Sequence, residues 1–485
     1  MRIPVRPTIY EINTAVWLQR RSRERGGPIS LADVAGAEWD RLAALGVDAV
    51  WLMGVWQRSP AGRKIALEDP QLVAGYRAAL GQLRDEDVLG SPYCVHDYTV
   101  DARFGGPEAL AQARSQLAAR GVALILDYVP NHVAVDHPWG TERPACLLAG
   151  SHEELAARPK EFVEVGGRVF AKGRDPYFDP WQDVLQLNAY SRVLRDAAAQ
   201  TVIAIGYQCD GLRCDMAMLM TNEVFARTWG QRPGPAPEDE FWPTLIGRCR
   251  EVHPELLFLA EVYWDMEWTM QQQGFDLCYD KRLYDRLRYE GPASVRGHLQ
   301  ADAGYQQRLL RFIENHDEPR AAATFGAEQA RAAAVVISTL QGARLYHDGQ
   351  LDGLRTQLPV QLGRGPDELA DAELRAFYDR LLAVVPQVRA GEWRLCECAG
   401  AAGEQLLAWC WSAPEARHLV VVNLSAQPGE GSVRLPWEDL AGREWTLTDR
   451  LADARYERAG DALAADGLYV ALDAWGTHLL AFGER

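Results

Sequence analysis

Between residue 8 and about residue 350, short apolar runs of β character alternate with stretches whose apolar residues recur at helical spacing. The runs are Thr8 to Asn13, Ala49 to Met53, Ala123 to Val129, Gly211 to Cys214, Leu256 to Ala260, Phe275 to Tyr279, Leu309 to Ile313 and Ala343 to Tyr346. Strands that alternate with helices predict a parallel sheet, and eight of them suffice to close a (β/α)8 TIM barrel. More than eighty residues separate the third run from the fourth, so something is inserted there. From 133 to 183 the chain is irregular and rich in Pro, Gly and aromatic residues, as in Asp136-His137-Pro138-Trp139-Gly140 and Asp175-Pro176-Tyr177-Phe178-Asp179-Pro180-Trp181. This places a small subdomain at the barrel face where loops build active sites. After residue 391 the pattern becomes one of short alternating strands: Gln405 to Trp411, His418 to Leu424, Ser432 to Leu435, Glu444 to Leu447, Leu468 to Leu472 and His478 to Phe482. The expected organisation is a barrel over 1–390, with the insertion 133–183, followed by an antiparallel β-sandwich over 391–485 that serves as a stabilising appendage.

Composition narrows the partners. Hydrophobic residues are 48% and charged residues 24% of the 485, which is ordinary for packed domains. A formal charge of -16 opposes binding to nucleic acid or to an anionic membrane, so a neutral substrate fits better. With no signal-like apolar stretch at Met1 to Pro7 and no run of membrane length, a cytoplasmic protein is expected. The nine cysteines show no zinc spacing and read as reduced thiols, with Cys396 and Cys398 at alternate positions of one expected strand.

Four acids follow strand-like runs where each would emerge from the barrel: Asp127, Asp215, Glu261 and Asp317. Crowded carboxylates raise one another's pKa, and such a cluster is costly unless chemistry or a cation uses it. Retaining cleavage of a glycosidic bond needs one ionised carboxylate as nucleophile and one protonated carboxyl as acid, held ~5 to 5.5 Å apart, a separation that adjacent barrel strands supply. Arg213, two residues before Asp215, shares its strand face, and its charge is expected to lower the pKa of Asp215. Glu261 follows an apolar run and precedes Val262-Tyr263-Trp264, surroundings expected to raise its pKa and keep a proton available.

The segments Asp127-Tyr-Val-Pro-Asn131-His132, Gly211-Leu-Arg213-Cys-Asp215, Glu261 at the end of its run, and Phe312-Ile-Glu-Asn-His316-Asp317 resemble, in order, the four signature segments of the α-amylase glycoside hydrolases. Gly90-Ser-Pro-Tyr93-Cys-Val-His-Asp97-Tyr98, Gln186-Leu187-Asn188 and Tyr346-His-Asp-Gly349-Gln350 are similar to further segments of that family. The resemblance implies Asp215 as nucleophile, Glu261 as general acid/base and Asp317 as the carboxylate that grips the sugar hydroxyls. It further implies Arg213, His132 and His316 at the first sugar, Tyr93 as a stacking platform, Asp97 and Asp127 as nearby polar support, Arg320 toward the next sugar and Trp264 at the mouth. The substrate class it implies is an α-glucan or α-glucoside.

Three departures qualify the likeness. A Lys-His pair that follows the nucleophile in many starch-acting members is replaced by Met218-Leu219, which removes a polar acceptor grip. Gly54 stands where the family usually has proline, read as a backbone detail without functional consequence. Asn131 matches a residue that helps bind structural Ca²⁺ in many α-amylases, but Asp136, Glu142, Asp175, Asp179 and Asp183 have no spacing that assembles six to eight oxygens. No obligatory metal or other cofactor is therefore expected. Transglycosylation or isomerisation of α-glucosides is the alternative within enzymes. A non-catalytic carbohydrate-binding homologue is the alternative outside them, and the presence of all three acids argues against it.

Overall fold

The computed structural model describes residues 1–400 and 404–484. Eight parallel strands close into a barrel: β1 (Thr8–Asn13), β2 (Ala49–Met53), β3 (Ala123–Tyr128), β4 (Gly211–Cys214), β5 (Leu257–Ala260), β6 (Leu277–Tyr279), β7 (Leu309–Arg311) and β8 (Ala343–His347). Each strand pairs with its neighbours in sequence, and β1 closes the ring by pairing with both β2 and β8. The strands are almost wholly buried because each is covered on both faces, by helices outside and by packed side chains within.

Boundaries differ from expectation where side chains replace the ladder. Phe275 and Asp276 precede β6 rather than belonging to it. There Asp276 Oδ2 accepts from the Phe258 amide at 2.8 Å and the Asp276 amide donates to Phe258 O at 2.9 Å. The chain leaves the ladder after Arg311, so Phe312 and Ile313 are buried beyond the end of β7 and lead toward His316 and Asp317.

After β3 the chain builds two small antiparallel pairs, His132–Ala134 with Val184–Gln186 and Phe162–Val165 with Arg168–Ala171. Leu148, Phe162, Val169 and Ala171 give this region a core of its own.

Beyond the barrel lie an antiparallel six-stranded sheet and a three-stranded sheet, the β-sandwich expected from the alternating pattern. Three of its strands lie outside the six runs named above, two of them where a single strand through Cys396 and Cys398 was expected. Arg455–Ala459 is polar and largely exposed at a sheet edge, and Glu392–Cys396 has only one buried residue. Cys398–Ala399 is two residues long. Cys396 and Cys398 therefore belong to two different sheets, not to alternate positions of one strand.

The strand Leu406–Ala413 is buried on both faces. Leu407, Trp409 and Trp411 join the barrel core, while Leu406, Ala408 and Cys410 face the core between the two sheets. Trp411 fastens this junction. Its indole N–H donates to Thr339 O at 2.7 Å, and the Arg6 guanidinium lies 5.2 Å from its ring centroid. Replacing Trp411 with Ala should lower the free energy of unfolding by about 3–5 kcal/mol, read by urea titration, because the ring is fully buried and its loss leaves a cavity. A loss under about 0.5 kcal/mol, the range of surface substitutions, would show that the junction is not close-packed.

Candidate active site

The register of the barrel decides which side chains meet. Arg213 lies opposite Asp127 on β3 and Leu259 on β5, and Cys214 faces Ala260. Asp215 and Glu261 thus leave their strands at the same level. The Asp215 amide donates to Tyr128 O at 2.9 Å and the Glu261 amide to Cys214 O at 3.0 Å, which fixes both backbones to the neighbouring strand. Adjacent strands lie ~4.8 Å apart, compatible with the carboxylate spacing of a retaining glycosidase.

Arg213 is fully buried between the two acids. Its Nη1 donates to Asp215 Oδ1 at 2.6 Å, and its Nη2 lies 2.7 Å from Glu261 Oε2 at an angle that does not align a hydrogen bond. The guanidinium also lies 5.0 Å from the Tyr93 ring centroid, 5.2 Å from that of Trp51 and 5.7 Å from that of Tyr279. Glu261 is held at both oxygens: Tyr263 O–H donates to Oε1 and the Met216 amide to Oε2, each at 2.7 Å. Met216 takes φ of +41°, a left-handed conformation rare for a residue with a Cβ, directly after Asp215.

Burial pushes the Glu261 carboxyl up to about 7, against the opposing Arg213 charge, and the nearby Asp215 adds to the rise. Asp215 departs from the sequence expectation. Arg213 does lie beside it, but burial outweighs that charge, and its carboxyl sits above its ordinary value rather than below. Asp317 behaves oppositely. The walls of the cleft desolvate it, yet His316 holds its carboxyl below the usual range. Its side chain keeps 43% of its surface open to solvent, against 8% for Asp215 and 3% for Glu261, so Asp317 is the acid most accessible from the cleft.

His316 joins Asp317 to the barrel wall. Its Nε2 lies 3.0 Å from Asp317 Oδ2 and 2.7 Å from the Tyr93 hydroxyl, and its Nδ1 lies 2.5 Å from Glu11 Oε1. Burial alone would lower its pKa, but Asp317 and Glu11 raise it well above the ordinary histidine value, so the ring is an imidazolium at neutral pH. Tyr93 stacks on His316 at 5.4 Å. His132 is buried beside Trp181, 5.1 Å between ring centroids, and burial lowers its pKa to about 4, leaving it neutral.

Three residues are placed differently from the sequence reading. Asp127 faces inward: Oδ1 accepts from Trp51 Nε1 at 3.1 Å and Oδ2 from the Gly54 amide at 2.9 Å, and burial raises its carboxyl to about 6. It backs Arg213 at 3.9 Å and offers no free oxygen to a sugar. Asp97 is exposed on the strand Val95–Val100, where its carboxylate accepts from Thr99 Oγ1 at 2.7 Å, so the pleat turns it out of the cluster. Arg320 is buried behind the cleft, paired with Glu314 at 2.6 Å and donating to Asp348 O at 2.8 Å, and is not free to reach a second sugar. Trp264 stands half-buried on the loop after Glu261, with φ of +64°.

Gly54, read as a neutral backbone detail, bears directly on the site. Its φ is +77°, an added Cβ would meet Pro92 Cβ at 2.8 Å, and its amide serves Asp127, a bond that a proline could not donate. Met218 and Leu219 are buried in the turn after β4, so that apolar stretch is core and not acceptor surface. Glu11 and the functional contact of Tyr263 went unnoticed in the sequence. An acid inside the apolar run of β1, and a tyrosine two residues past Glu261, are the signals that mark them.

The Asn131 neighbourhood does not suit a cation. Gln186 Nε2 lies 2.9 Å from Asn131 O, 3.0 Å from Asn131 Oδ1 and 2.9 Å from Leu187 O, fully buried. An amide nitrogen thus stands among the oxygens that a metal would need. Two of the carboxylates of this segment are already engaged: Asp136 accepts from Ser59 Oγ and the Ala61 amide, and Asp175 from the Tyr177 and Phe178 amides. Among the described residues no group of three or more His, Cys, Asp or Glu is gathered to hold a metal.

The molecule is a closed (β/α)8 barrel with a short insertion after β3, a C-terminal β-sandwich and three acids around one mouth. The family profile for the α-amylase catalytic domain matches residues 36–148. The α-amylase MalA of Haloarcula japonica is 27% identical over 390 residues, covering 77% of this chain and 47% of that protein. An α-glucosidase of Candida albicans is 24% identical over 382 residues, covering 66% of this chain and 61% of that protein. The chain spans about half the length of the curated relatives it matches. Among solved structures, an α-amylase from Geobacillus thermoleovorans complexed with acarbose superposes with a TM-score of 0.69 at 17% identity over 100% of both chains. The chain is thus similar to the α-amylase catalytic domain over residues 36–148 and shares its fold with solved α-amylases.

Tyr263→Phe removes a donor that stabilises the ionised form of Glu261. Since the acid must be protonated in the first step, kcat/KM on an α-glucoside should fall as pH rises through about 7 in the parent protein. In the variant this alkaline limb should move to higher pH; an unmoved limb would mean that Tyr263 does not tune Glu261.

Proposed function

We propose that the protein is a retaining α-glycoside hydrolase acting on α-glucosidic bonds of oligo- or polysaccharides. The observation that carries this reading is the pair Asp215 and Glu261 held on one buried guanidinium, with the Glu261 carboxyl at about 7 and the solvent-facing Asp317 across the mouth. Glu261 gives its proton to the glycosidic oxygen as Asp215 attacks the anomeric carbon, the C–O bond to the leaving group breaks, and a β-glycosyl ester forms. Glu261, now a carboxylate, takes a proton from water, which attacks the same carbon and frees Asp215. Asp317, kept ionised by His316, binds sugar hydroxyls and favours the positive charge that develops on the ring. The relatives described as an α-amylase and an α-glucosidase support an α-glucosidic substrate.

No metal enters this mechanism, and we infer that none is required for folding. The Gln186 amide, donating among three oxygens, does the work of a cation in tying Asn131 to the strand Val184–Gln186. A cytoplasmic location is also our reading. It is supported by nine unpaired cysteines, while no helix among the described residues is long and apolar enough to cross a membrane.

Asp215→Asn should leave the circular dichroism spectrum and Tm unchanged and abolish release of reducing sugar from maltooligosaccharides; retained turnover would overturn the assignment. Chromatography of wild-type products should show shorter sugars only, and longer or rearranged ones would replace hydrolysis with transfer. Chelation should leave the Tm of the wild-type protein unchanged. Gln186→Asp, which exchanges the amide for a carboxylate facing oxygens, should lower the Tm in chelator and recover it with Ca²⁺. A wild-type Tm that drops in chelator would overturn the metal-free reading.

A further inference from the structure

A glucan can be cut at its end or within its length, and the shape of the cleft beyond the donor sugar decides which. In a pyranose C4 lies opposite C1. With C1 between Asp215 and Glu261 and the adjoining hydroxyls on Asp317, the C4 end of the donor points past Asp317, and any further unit of the chain would have to lie there. Asp317 and His316 line a cavity of about 530 Å³, a volume typical of a small-molecule pocket. Its far wall is built from Gly75, Ala78 and Ala79 on the helix Pro70–Leu80 and from the loop after β8, beginning at Gln357. A larger cavity lies on the other side of that loop. Thr356, Gln357, Leu358 and His316 line both cavities and so form the partition between them.

Two excursions meet in this wall. One leaves β2 and carries the helices Pro60–Glu68 and Pro70–Leu80; the other follows β8 over residues 348–371 with no helix or strand. Since β1 stands between β2 and β8 in the ring, the two join across its exit. They join as paired strands do: the Leu89 amide donates to Gln361 O at 2.7 Å and the Gly363 amide to Asp87 O at 2.8 Å. Arg364 then grips both oxygens of Asp87, Nε to Oδ1 at 2.6 Å and Nη2 to Oδ2 at 2.9 Å, a two-point fit that fixes orientation as well as distance. Leu362, at the seam, is fully buried with Tyr76 and Val88. Arg58, only 5% exposed, fills the space beneath it, with Nη1 donating to Gly90 O at 2.7 Å and lying 3.5 Å from Val360 O. At the near end Gln357 Nε2 donates to Asp317 O at 2.6 Å. Contacts therefore run without a break from Asp317 through Gln357 and Leu362 to Asp87, Leu89 and Tyr93, whose hydroxyl returns to His316 at 2.7 Å.

Resting on the function proposed above, we propose that the seam clasped by Asp87 and Arg364 makes the donor side of the cleft blind. The protein then removes one glucosyl unit at a time from the non-reducing end of an α-glucoside chain and does not cut within it. Asp87 and Arg364 determine this specificity without touching the reacting atoms: they hold the loop after β8 against the excursion from β2, where a second donor unit would otherwise pass. The substrates are α-glucosides and short oligosaccharides whose terminal glucose carries a free 4-hydroxyl.

The test gives the full chain two forms of p-nitrophenyl α-maltoheptaoside, one with a free non-reducing end and one blocked there by a 4,6-ethylidene group. The free form should yield glucose as its first product by chromatography, and the blocked form should react at least about a hundredfold more slowly. Maltose or longer sugars as first products, or similar rates on both forms, would overturn the proposal. Arg364→Ala and Asp87→Ala, each checked for a retained circular dichroism spectrum, should raise the ratio of blocked to free turnover by at least about tenfold. A ratio that stays at the wild-type value in both folded variants would overturn the role given to the clasp. Fluoride release from α-glucosyl fluoride, which has no second unit, is followed separately. Failure there counts against the hydrolytic reading alone, and the wall is then decided by calorimetry on Asp215→Asn: the blocked heptaoside should bind at least about tenfold more weakly than the free one, and equal affinities would overturn the blind donor side.

Discussion

The site is organised around one buried positive charge. A guanidinium taken from water costs several kcal/mol unless it is paired and its donors are used, and Arg213 has both acids of the mouth within 2.7 Å. The cost of crowding Asp127, Asp215 and Glu261 is offset by the same charge, so neither side of the cluster is tolerable without the other. Aromatic rings from β2, β6 and the Tyr93 loop cover the faces of the guanidinium, which keeps water from screening it. Five of the eight strands thereby have a stake in the position of one side chain, and the spacing of the acids follows from it.

Around that centre the acids divide by their neighbours. Glu261 has a hydroxyl, an amide and a shared cation, which do not cancel the effect of its burial. Asp317 has an imidazolium of its own, kept charged by Asp317 itself and by Glu11 behind it. A proton therefore belongs to one and is denied to the other at neutral pH. Two carboxyl groups with identical chemistry acquire different tasks from what lies on their far sides.

The fold was legible because a barrel strand covered on both faces leaves a nearly continuous apolar run, and the acids were legible because they terminate such runs. What the chain order hides is contact across the ring. Spacing put Arg213 beside Asp215 correctly, yet the sign of the shift at Asp215 came from burial by residues far away in sequence. Arg320 looked free because Glu314 and the β8 end that claim it are six and about thirty residues away. Met218 and Leu219 read only as the loss of a polar acceptor grip after the nucleophile, and the turn of the chain makes them core. Gly54 looked inert because its partner, Asp127, is on another strand. In each case one-dimensional neighbours were right and three-dimensional ones decided the outcome.

Glu11 and His316 are separated by 305 positions, and Glu11 lies on the strand that β8 must reach to seal the ring. One of the two carboxylates that hold the charge on His316 is therefore brought to it only when the barrel closes. A chain emerging from synthesis carries its acids long before it carries the arrangement that differentiates them. Sealing the last seam is in that sense an arming step: the chemistry becomes available only to a molecule that has finished folding, and the strand laid down first is the one that reports completion.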